Sequence, residues 1–115
     1  MQSRDASILK HIVKYCLEIN NELNEISCEK EQYCQNTVYR NSLALCVLQI
    51  GELVGLLSDD FKADNPEIDW KSIKGMRNVV AHKYGSFDFD VLWETVTEDI
   101  PKLHNYCKEK ITNIE

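Results

Sequence analysis

Apolar residues recur at steps of three and four along most of this chain, which is the period of an amphipathic α-helix. The first such stretch covers about residues 4–26 and the second about residues 36–62. A last stretch starts near Asp88 and runs to about Asn113. Pro101 lies inside it and predicts a kink, because proline removes a helical hydrogen bond. No alternation of period two is sustained, so the sequence predicts an all-α protein.

Polar and chain-breaking residues mark the boundaries between these helices. Residues 27–34 are polar and are expected to hold a short helical turn. Pro66 ends the second helix, and Asp69 is a suitable N-cap for a short helix after it. Gly75 is predicted to break or bend the chain behind that helix. The pattern predicts an up-and-down bundle of four to five helices, in a single domain over residues 1–115.

The second helix is apolar over more than one face. Beside its main apolar stripe it carries a further one, formed by Val38, Leu45, Leu48 and Leu56. A helix that is apolar on two faces must bury both of them. Either the helix is central in the monomer's bundle, or the extra face meets a second subunit. We expect the second arrangement, a homodimer.

Composition narrows the class of protein. No apolar run approaches the roughly 20 residues that span a bilayer, and the N-terminus lacks a hydrophobic signal region, so a cytoplasmic protein without membrane contact is expected. The net charge of −6 argues against a general nucleic-acid-binding surface. Residues 66–85 nevertheless form a local positive patch, with Lys71, Lys74, Arg77 and Lys83 against Glu67 and Asp69.

The five cysteines are odd in number and form no CxxC pair, so neither a disulfide framework nor a zinc site is expected. Cys16, Cys46 and Cys107 fall on apolar helical stripes, where a reduced cysteine behaves as a small hydrophobic residue. Cys28 and Cys34 lie in the polar segment, and we expect them to be exposed.

The positive patch coincides with residues 77–84, Arg-Asn-Val-Val-Ala-His-Lys-Tyr. The guanidinium of Arg77 is a planar fork of donors that matches phosphate oxygens. The imidazole of His82 can give or take a proton near neutral pH. On a helix Asn78 and His82 share a face, and Arg77 is long enough to bend towards them. These three side chains could therefore converge on one phosphate.

That set of side chains suits RNA cleavage, in which a 2′-hydroxyl attacks the adjacent phosphorus and the 5′-oxygen leaves. The reaction needs a base, an acid and a cation, but no metal, because the nucleophile belongs to the substrate. His82 could be the base or the acid, and Arg77 could stabilise the developing charge. One histidine cannot easily do both, whereas a twofold dimer would supply a second. The alternative is a polar pair that only satisfies a helix end.

Several short motifs and single residues occur along this sequence in the same order as in a known protein family. They are Arg40-Asn41, Gln49-Ile50-Gly51-Glu52, Pro66-Glu67-Ile68 with Trp70, Ile73 and Gly75, the 77–84 motif, then Asp88, Trp93 and Asp99-Ile100-Pro101. The motif resembles the Arg-x4-6-His pattern of HEPN domains, in the Arg-x4-His-x-Tyr form of HepT-like toxins. The likeness covers nearly the whole chain and is strongest from Arg40 to Leu103.

This resemblance implies a helical-bundle homodimer that acts as a metal-independent endoribonuclease on RNA, without a cofactor. Arg77 and His82 would be catalytic, and Asn78 would support them. It also implies a type VII toxin–antitoxin pair, in which a minimal nucleotidyltransferase of the MntA type silences the toxin by transferring AMP to Tyr84. A phosphate added there, next to His82, would repel RNA.

Further residues and a second function remain open. Glu52 either orients Arg77 through a charge-assisted bond or is a plain surface carboxylate. Lys83 is another supporting candidate, and Arg40 contacts either the cleft or a neighbouring acid. The alternative function is a non-catalytic helical module that docks and regulates a minimal nucleotidyltransferase, with Arg77 and His82 binding a nucleotide phosphate.

Overall fold

The computed structural model describes residues 3–83 and 89–114, apart from the side chains of His82, Lys83 and Ile114. All regular structure in these ranges is helical, which confirms the all-α prediction. The elements are α1 (Ser3–Glu25), α2 (Lys30–Gln35), α3 (Thr37–Leu56), α4 (Asp59–Asp64), α5 (Trp70–Lys83), α6 (Phe89–Glu94), a π-helical turn (Thr95–Asp99) and α7 (Ile100–Ile114). Thus α1, α3, α5 and the C-terminal segment (residues 89–114) form the bundle, while α2 and α4 are short helices of 6 residues each.

Helix α3 lies at the centre of the packing. It contacts both α1 and α5, and α7 packs against α1. The predicted main stripe of α3 forms the core, because Leu43, Val47, Ile50 and Val54 are all buried. Within the described ranges no helix is both long enough and apolar enough to cross a membrane.

The predicted second helix is wrong in one respect, because it is two helices rather than one. At Leu57 the backbone is extended (φ −62°, ψ 143°), which ends α3. Ser58 then caps α4, since its Oγ accepts from the amide of Phe61 at 3.1 Å. The amide and hydroxyl of Ser58 also donate to the buried carboxylate of Asp5, at 2.9 and 2.7 Å. A residue 53 positions away in sequence therefore fixes this break.

Helix α5 is longer than predicted. Asp69 does cap it, because its carboxylate accepts from the amide and the hydroxyl of Ser72 at 3.1 and 2.8 Å. The helix does not break at Gly75, however, and continues to Lys83. A single exposed glycine costs a helix about 1 kcal/mol relative to alanine. The packing of α5 on α3 outweighs that cost, so residues 77–83 share one unbroken helix.

The sequence predicts a kink at Pro101. The structure instead has a π-helical turn, Thr95–Asp99, just before this proline. The amide of Ile100 donates to the carbonyl of Thr95, a bond that spans five residues instead of four. Proline cannot donate at the next position and its ring crowds the preceding turn, so the wider turn just before it accommodates both effects. The predicted start at Asp88 lies outside the described residues.

The second apolar stripe of α3 is not buried within the monomer. Val38, Leu45 and Leu56 are 76%, 57% and 51% exposed, while Leu48 is only partly buried. Helix α3 is thus central in the monomer, but the described part of the chain does not cover this second face. This stripe is the largest group of exposed apolar side chains on one described helix.

Candidate active site

The start of the motif is fixed by a close approach of α3 and α5. Gly51 faces the base of the Arg77 side chain, and a Cβ atom built on Gly51 would lie 2.1 Å from the Cβ of Arg77. One turn later, a Cβ on Gly55 would lie 3.8 Å from the Cε of Lys74. Only glycine, which has no side chain, allows α5 to lie this close to α3 at position 51. The Cα and Cβ atoms of Arg77 therefore pack directly against the backbone of α3.

The guanidinium of Arg77 is held by two side chains. A carboxylate oxygen of Glu52 accepts from its Nε and pairs with its Nη2. The Oδ1 of Asn78 accepts from its Nη1 at 3.1 Å. A guanidinium carries two hydrogens on each terminal nitrogen, so both nitrogens keep a donor beyond these contacts. The side chain of Arg77 is 29% exposed, which leaves that outer edge within reach of a ligand.

Arg77 lies at the edge of a shallow hollow of about 300 Å³ between α3 and α5. Its other described lining residues are Gly51, Glu52, Gly55, Leu56, Lys74 and Asn78. Two cations and one carboxylate line the hollow, and Glu52 already pairs with Arg77. The hollow therefore offers net positive charge and hydrogen-bond donors, the combination that binds a phosphate group.

The structure places part of the predicted site together. Glu52 bonds to Arg77, as in the predicted alternative in which it orients the guanidinium. Asn78 also bonds to Arg77. The backbone of His82 belongs to α5, so it follows Arg77 on the same continuous helix. The side chains of His82 and Lys83, and all of Tyr84, lie outside the described residues. Convergence of Arg77, Asn78 and His82 on one phosphate therefore stays a prediction.

Neither predicted alternative for Arg40 is seen among the described residues, where it contacts neither the Arg77 hollow nor an acidic side chain. Its Nη1 donates to the carbonyl oxygens of Tyr33, at 3.2 Å, and of Cys34. Its guanidinium also lies 4.9 Å from the centre of the Phe89 ring. Arg40 thus satisfies the carbonyl end of α2 and ties it to the start of α6, which is a structural role.

Two features of the hollow escaped the sequence reasoning. The spacing of Gly51 and Gly55, four residues apart in an apolar helix, is a signal for close helix packing that could have been read. Lys74 is three residues before Arg77 and so lies on the same side of α5. From the sequence, Lys74 was assigned only to the local positive patch and not to the site.

The cysteines are placed as expected. Cys16, Cys46 and Cys107 are buried, whereas Cys28 and Cys34 are exposed, and all five are free thiols. Burial raises the pKa of each of the three buried thiols to about 12. These three are therefore inert as nucleophiles near neutral pH. Among the described residues, no cluster of three or more His, Cys, Asp or Glu side chains is arranged to hold a metal ion.

The described residues form an all-helical bundle, with a positively charged hollow between α3 and α5 that Arg77 lines. Sequence comparison identifies the family. Residues 8–110 match the family described as Ribonuclease HepT-like. The chain belongs to this family.

Curated relatives agree with this family. "Putative RNase MJ1380" of Methanocaldococcus jannaschii is 30% identical over 105 residues, which cover 90% of this chain and 94% of that protein. "Putative RNase TTE0752" of Caldanaerobacter subterraneus is 30% identical and covers 88% of both chains. "Probable ribonuclease HepT" of Thermococcus cleftensis is 36% identical over 88 residues, 76% of this chain and 78% of that protein. No solved structure gives a significant match.

Proposed function

We propose that this HepT-like protein is a metal-independent endoribonuclease, active as a homodimer and serving as the toxin of a type VII toxin–antitoxin pair. The observation that carries the proposal is the guanidinium of Arg77, held by Glu52 and Asn78 at an open, positive hollow. A fixed cation of this kind is what phosphodiester cleavage needs at the non-bridging oxygens of its transition state.

The chemistry follows from the motif. The 2′-hydroxyl of the substrate attacks the adjacent phosphorus, and the bond to the 5′-oxygen breaks, which leaves a 2′,3′-cyclic phosphate and a 5′-hydroxyl. Arg77 stabilises the negative charge that builds up on the phosphorane. His82, five residues further along α5, takes the proton from the nucleophile or gives one to the leaving oxygen.

A dimer would supply the second proton-transferring group. The exposed stripe of α3 and the hollow are adjacent, since Leu56 belongs to both. On α3, Leu45, Glu52 and Leu56 recur at steps of seven and four, so they lie on one face of the helix. A second copy packed on this face would bring its own motif close to the first, and the two His82 residues could divide the roles of base and acid.

Regulation would act on Tyr84, two residues after His82. We propose that a cognate MntA-like minimal nucleotidyltransferase transfers AMP from ATP to Tyr84: the phenolic oxygen bonds to the α-phosphorus, and the bond to the β-phosphate breaks and releases pyrophosphate. The added phosphate would be two residues from His82 in the motif, and its negative charge would repel the RNA strand.

Cleavage of a labelled single-stranded RNA tests the enzyme assignment. Arg77→Ala should lower the cleavage rate by about 100-fold or more, the scale for removal of a charge-stabilising group. Lys71→Ala is the matched control, because it removes one exposed cation from the same helix outside the hollow. Equal effects of the two changes would show that only general charge matters and would contradict the assignment.

Intact mass after co-expression with the partner tests the regulation. AMP on the wild type but not on Tyr84→Phe is the expected result. An active partner that leaves Tyr84 unmodified, together with a chain that does not cut RNA, would support the non-catalytic docking module instead.

A further inference from the structure

The Arg77 hollow has a second cation, Lys74, which the proposed reaction does not use. Lys74 lines the same hollow of about 300 Å³ and is exposed to solvent. It precedes Arg77 by three residues on α5, and side chains at this spacing lie on one face of a helix, with their Cβ atoms about 5–6 Å apart. The two cations therefore lie side by side along the wall of the hollow that α5 forms.

Helix α3 leaves room for both of these side chains. Gly51 faces the Cβ of Arg77, and Gly55, one turn later, faces the far end of Lys74, whose Cε lies 3.8 Å from a Cβ built on Gly55. Four residues of α-helix advance by roughly 6 Å. The two side chains are thus anchored about one helical turn apart, and the last carbon of Lys74 lies beside α3, so its ammonium group is held at the hollow.

The positive charge of Lys74 is not balanced within the described part of the chain. Glu52 is the only carboxylate among the described lining residues, and it pairs with Arg77. The next carboxylates along the chain, Asp59 and Asp60, do not line the hollow. Among the described residues, no carboxylate forms an ion pair with Lys74. Once Glu52 is paired, the described lining therefore keeps one positive charge, that of Lys74.

The two cations suit different phosphates of one RNA strand. The guanidinium of Arg77 is a rigid fork, fixed by Glu52 and Asn78, which suits the phosphate whose charge grows during the reaction. Lys74 is a compact charge on a flexible stem, and it is displaced by a turn of helix towards the start of α5. An RNA strand carries one phosphate per nucleotide, with a sugar between successive phosphates, so a strand laid along the hollow presents a second charge to Lys74.

We propose that Lys74 binds the RNA phosphate next to the one that is cleaved, so that the strand runs along the hollow from Arg77 towards the start of α5. This subsite rests on the proposed ribonuclease function. Lys74 takes no part in the bond changes, because the phosphate that it holds keeps both of its ester bonds during cleavage. It binds the substrate and the transition state equally, so it increases the affinity for RNA and leaves the maximal rate to Arg77 and His82.

Binding of an RNA that cannot be cleaved tests the subsite without the reaction. The probe is a fluorescein-labelled oligouridine with methylated 2′-oxygens, which lacks the attacking hydroxyl. Anisotropy over a range of salt concentrations gives the slope of the logarithm of the association constant against that of the salt concentration. Lys74→Ala should lower the magnitude of this slope by about 0.7, the loss of one phosphate contact on a single strand. Over a tenfold range of salt concentration this difference amounts to about fivefold in affinity.

Two further variants show whether the effect belongs to this side chain. Lys71→Ala removes the same charge from an exposed position of α5 that does not line the hollow, and it should leave the slope nearly unchanged. The hydroxyl and amide of Ser72 lower the pKa of Asp69, and the charge of Lys71 adds to this effect, so Lys71 already has a carboxylate near it. Lys74→Arg keeps the cation and should keep the wild-type slope. Equal losses with Lys71→Ala and Lys74→Ala would mean that the basic patch binds RNA without a defined subsite, which would overturn the proposal.

Steady-state cleavage of unmodified RNA separates the two phosphates. Loss of a contact made equally in the ground state and the transition state raises KM and leaves kcat unchanged. Lys74→Ala should therefore raise KM about fivefold at about 0.1 M salt, whereas Arg77→Ala lowers kcat. A fall in kcat at unchanged KM would place Lys74 on the reacting phosphate and overturn the proposal. A change from dimer to monomer mass with Lys74→Ala in light scattering would also overturn it, because Lys74 would then be an interface residue.

The two assays separate this proposal from the ribonuclease assignment. A chain that binds the methylated RNA through Lys74 but cuts no RNA supports Lys74 as an RNA-phosphate site and overturns the enzyme assignment. A chain that cuts RNA, but whose salt slope and KM do not change with Lys74→Ala, keeps the enzyme assignment and overturns the subsite. A wild type that neither binds nor cuts RNA overturns both.

Discussion

Gly51 and Arg77 stand so close that a Cβ atom at Gly51 would lie 2.1 Å from the Cβ of Arg77. Non-bonded carbon atoms do not approach to this distance, so any side chain at position 51 must push α5 away from α3. The contact joins a backbone feature of α3 to the placement of the cation in the hollow. We therefore expect both stability and activity to depend on this glycine.

Gly51→Ala should lower the free energy of unfolding by about 1–3 kcal/mol, the usual cost of inserting a methyl group into close packing. It should also reduce RNA cleavage, because the guanidinium of Arg77 moves relative to the hollow. Urea unfolding and a cleavage assay measure the two effects. Gly75→Ala is the control, since a Cβ there meets no atom within 4 Å. That change should stabilise α5 by about 0.5–1 kcal/mol.

Glu52→Gln separates positioning from stability. The Glu52–Arg77 pair is partly exposed, so the urea midpoint should scarcely change. The cleavage rate at saturating RNA should fall about 10- to 100-fold, because an arginine that is no longer held in place stabilises the transition state less well. Glu109→Gln, an exposed carboxylate on α7, should leave the rate unchanged. Loss of RNA affinity with an unaltered maximal rate would show that Glu52 has no positioning role.

Leu45→Arg tests the homodimer. Leu45 is 57% exposed in the centre of the α3 stripe, and a charge there would prevent burial against a second copy. Light scattering should give a dimer mass for the wild type and a monomer mass for this variant. Leu17→Arg changes a similarly exposed leucine on α1, 48% exposed, and should remain dimeric. A monomeric wild type would remove the basis for two motifs in one cleft.

Thiol labelling tests the packing of the cysteines. At pH 8 a thiol reagent should modify Cys28 and Cys34 rapidly, because both are exposed. Cys16, Cys46 and Cys107 should resist, because burial raises the pKa of their thiols to about 12 and little reactive thiolate forms below that value. Peptide mass mapping with and without urea measures this. Rapid labelling of Cys16 in the folded protein would contradict the core described above.

The spacing of apolar residues was sufficient to predict the all-α fold and the buried stripe of α3. A helix that buries one apolar face must repeat apolar residues every three or four positions. This spacing was not sufficient to predict the break at Leu57, which depends on hydrogen bonds from Ser58 to the distant Asp5. It also failed at Gly75, where packing on α3 outweighs the low helix propensity of glycine. In both places a tertiary contact decided against the local signal.

The candidate site also has features that the sequence predicted and features that only the structure shows. Residue types and their spacing indicated Arg77 and Asn78, and the chemistry of an ion pair suggested Glu52. Neither alternative predicted for Arg40 is seen among the described residues. Its partners there are the backbone carbonyls of Tyr33 and Cys34 and the hydroxyl of Thr37, and sequence patterns carry little information on such bonds. The role of Gly51 follows only from the distance between two helices.

The central claim is that the motif on α5 cleaves RNA by attack of the substrate's own 2′-hydroxyl. The most direct measurement is analysis of the ends of the cleavage products, made in excess EDTA with the wild type and with His82→Ala. We predict 2′,3′-cyclic phosphate and 5′-hydroxyl ends from the wild type and no cleavage above background from His82→Ala. Cleavage that stops in EDTA, or that His82→Ala carries out at the full rate, would contradict the account.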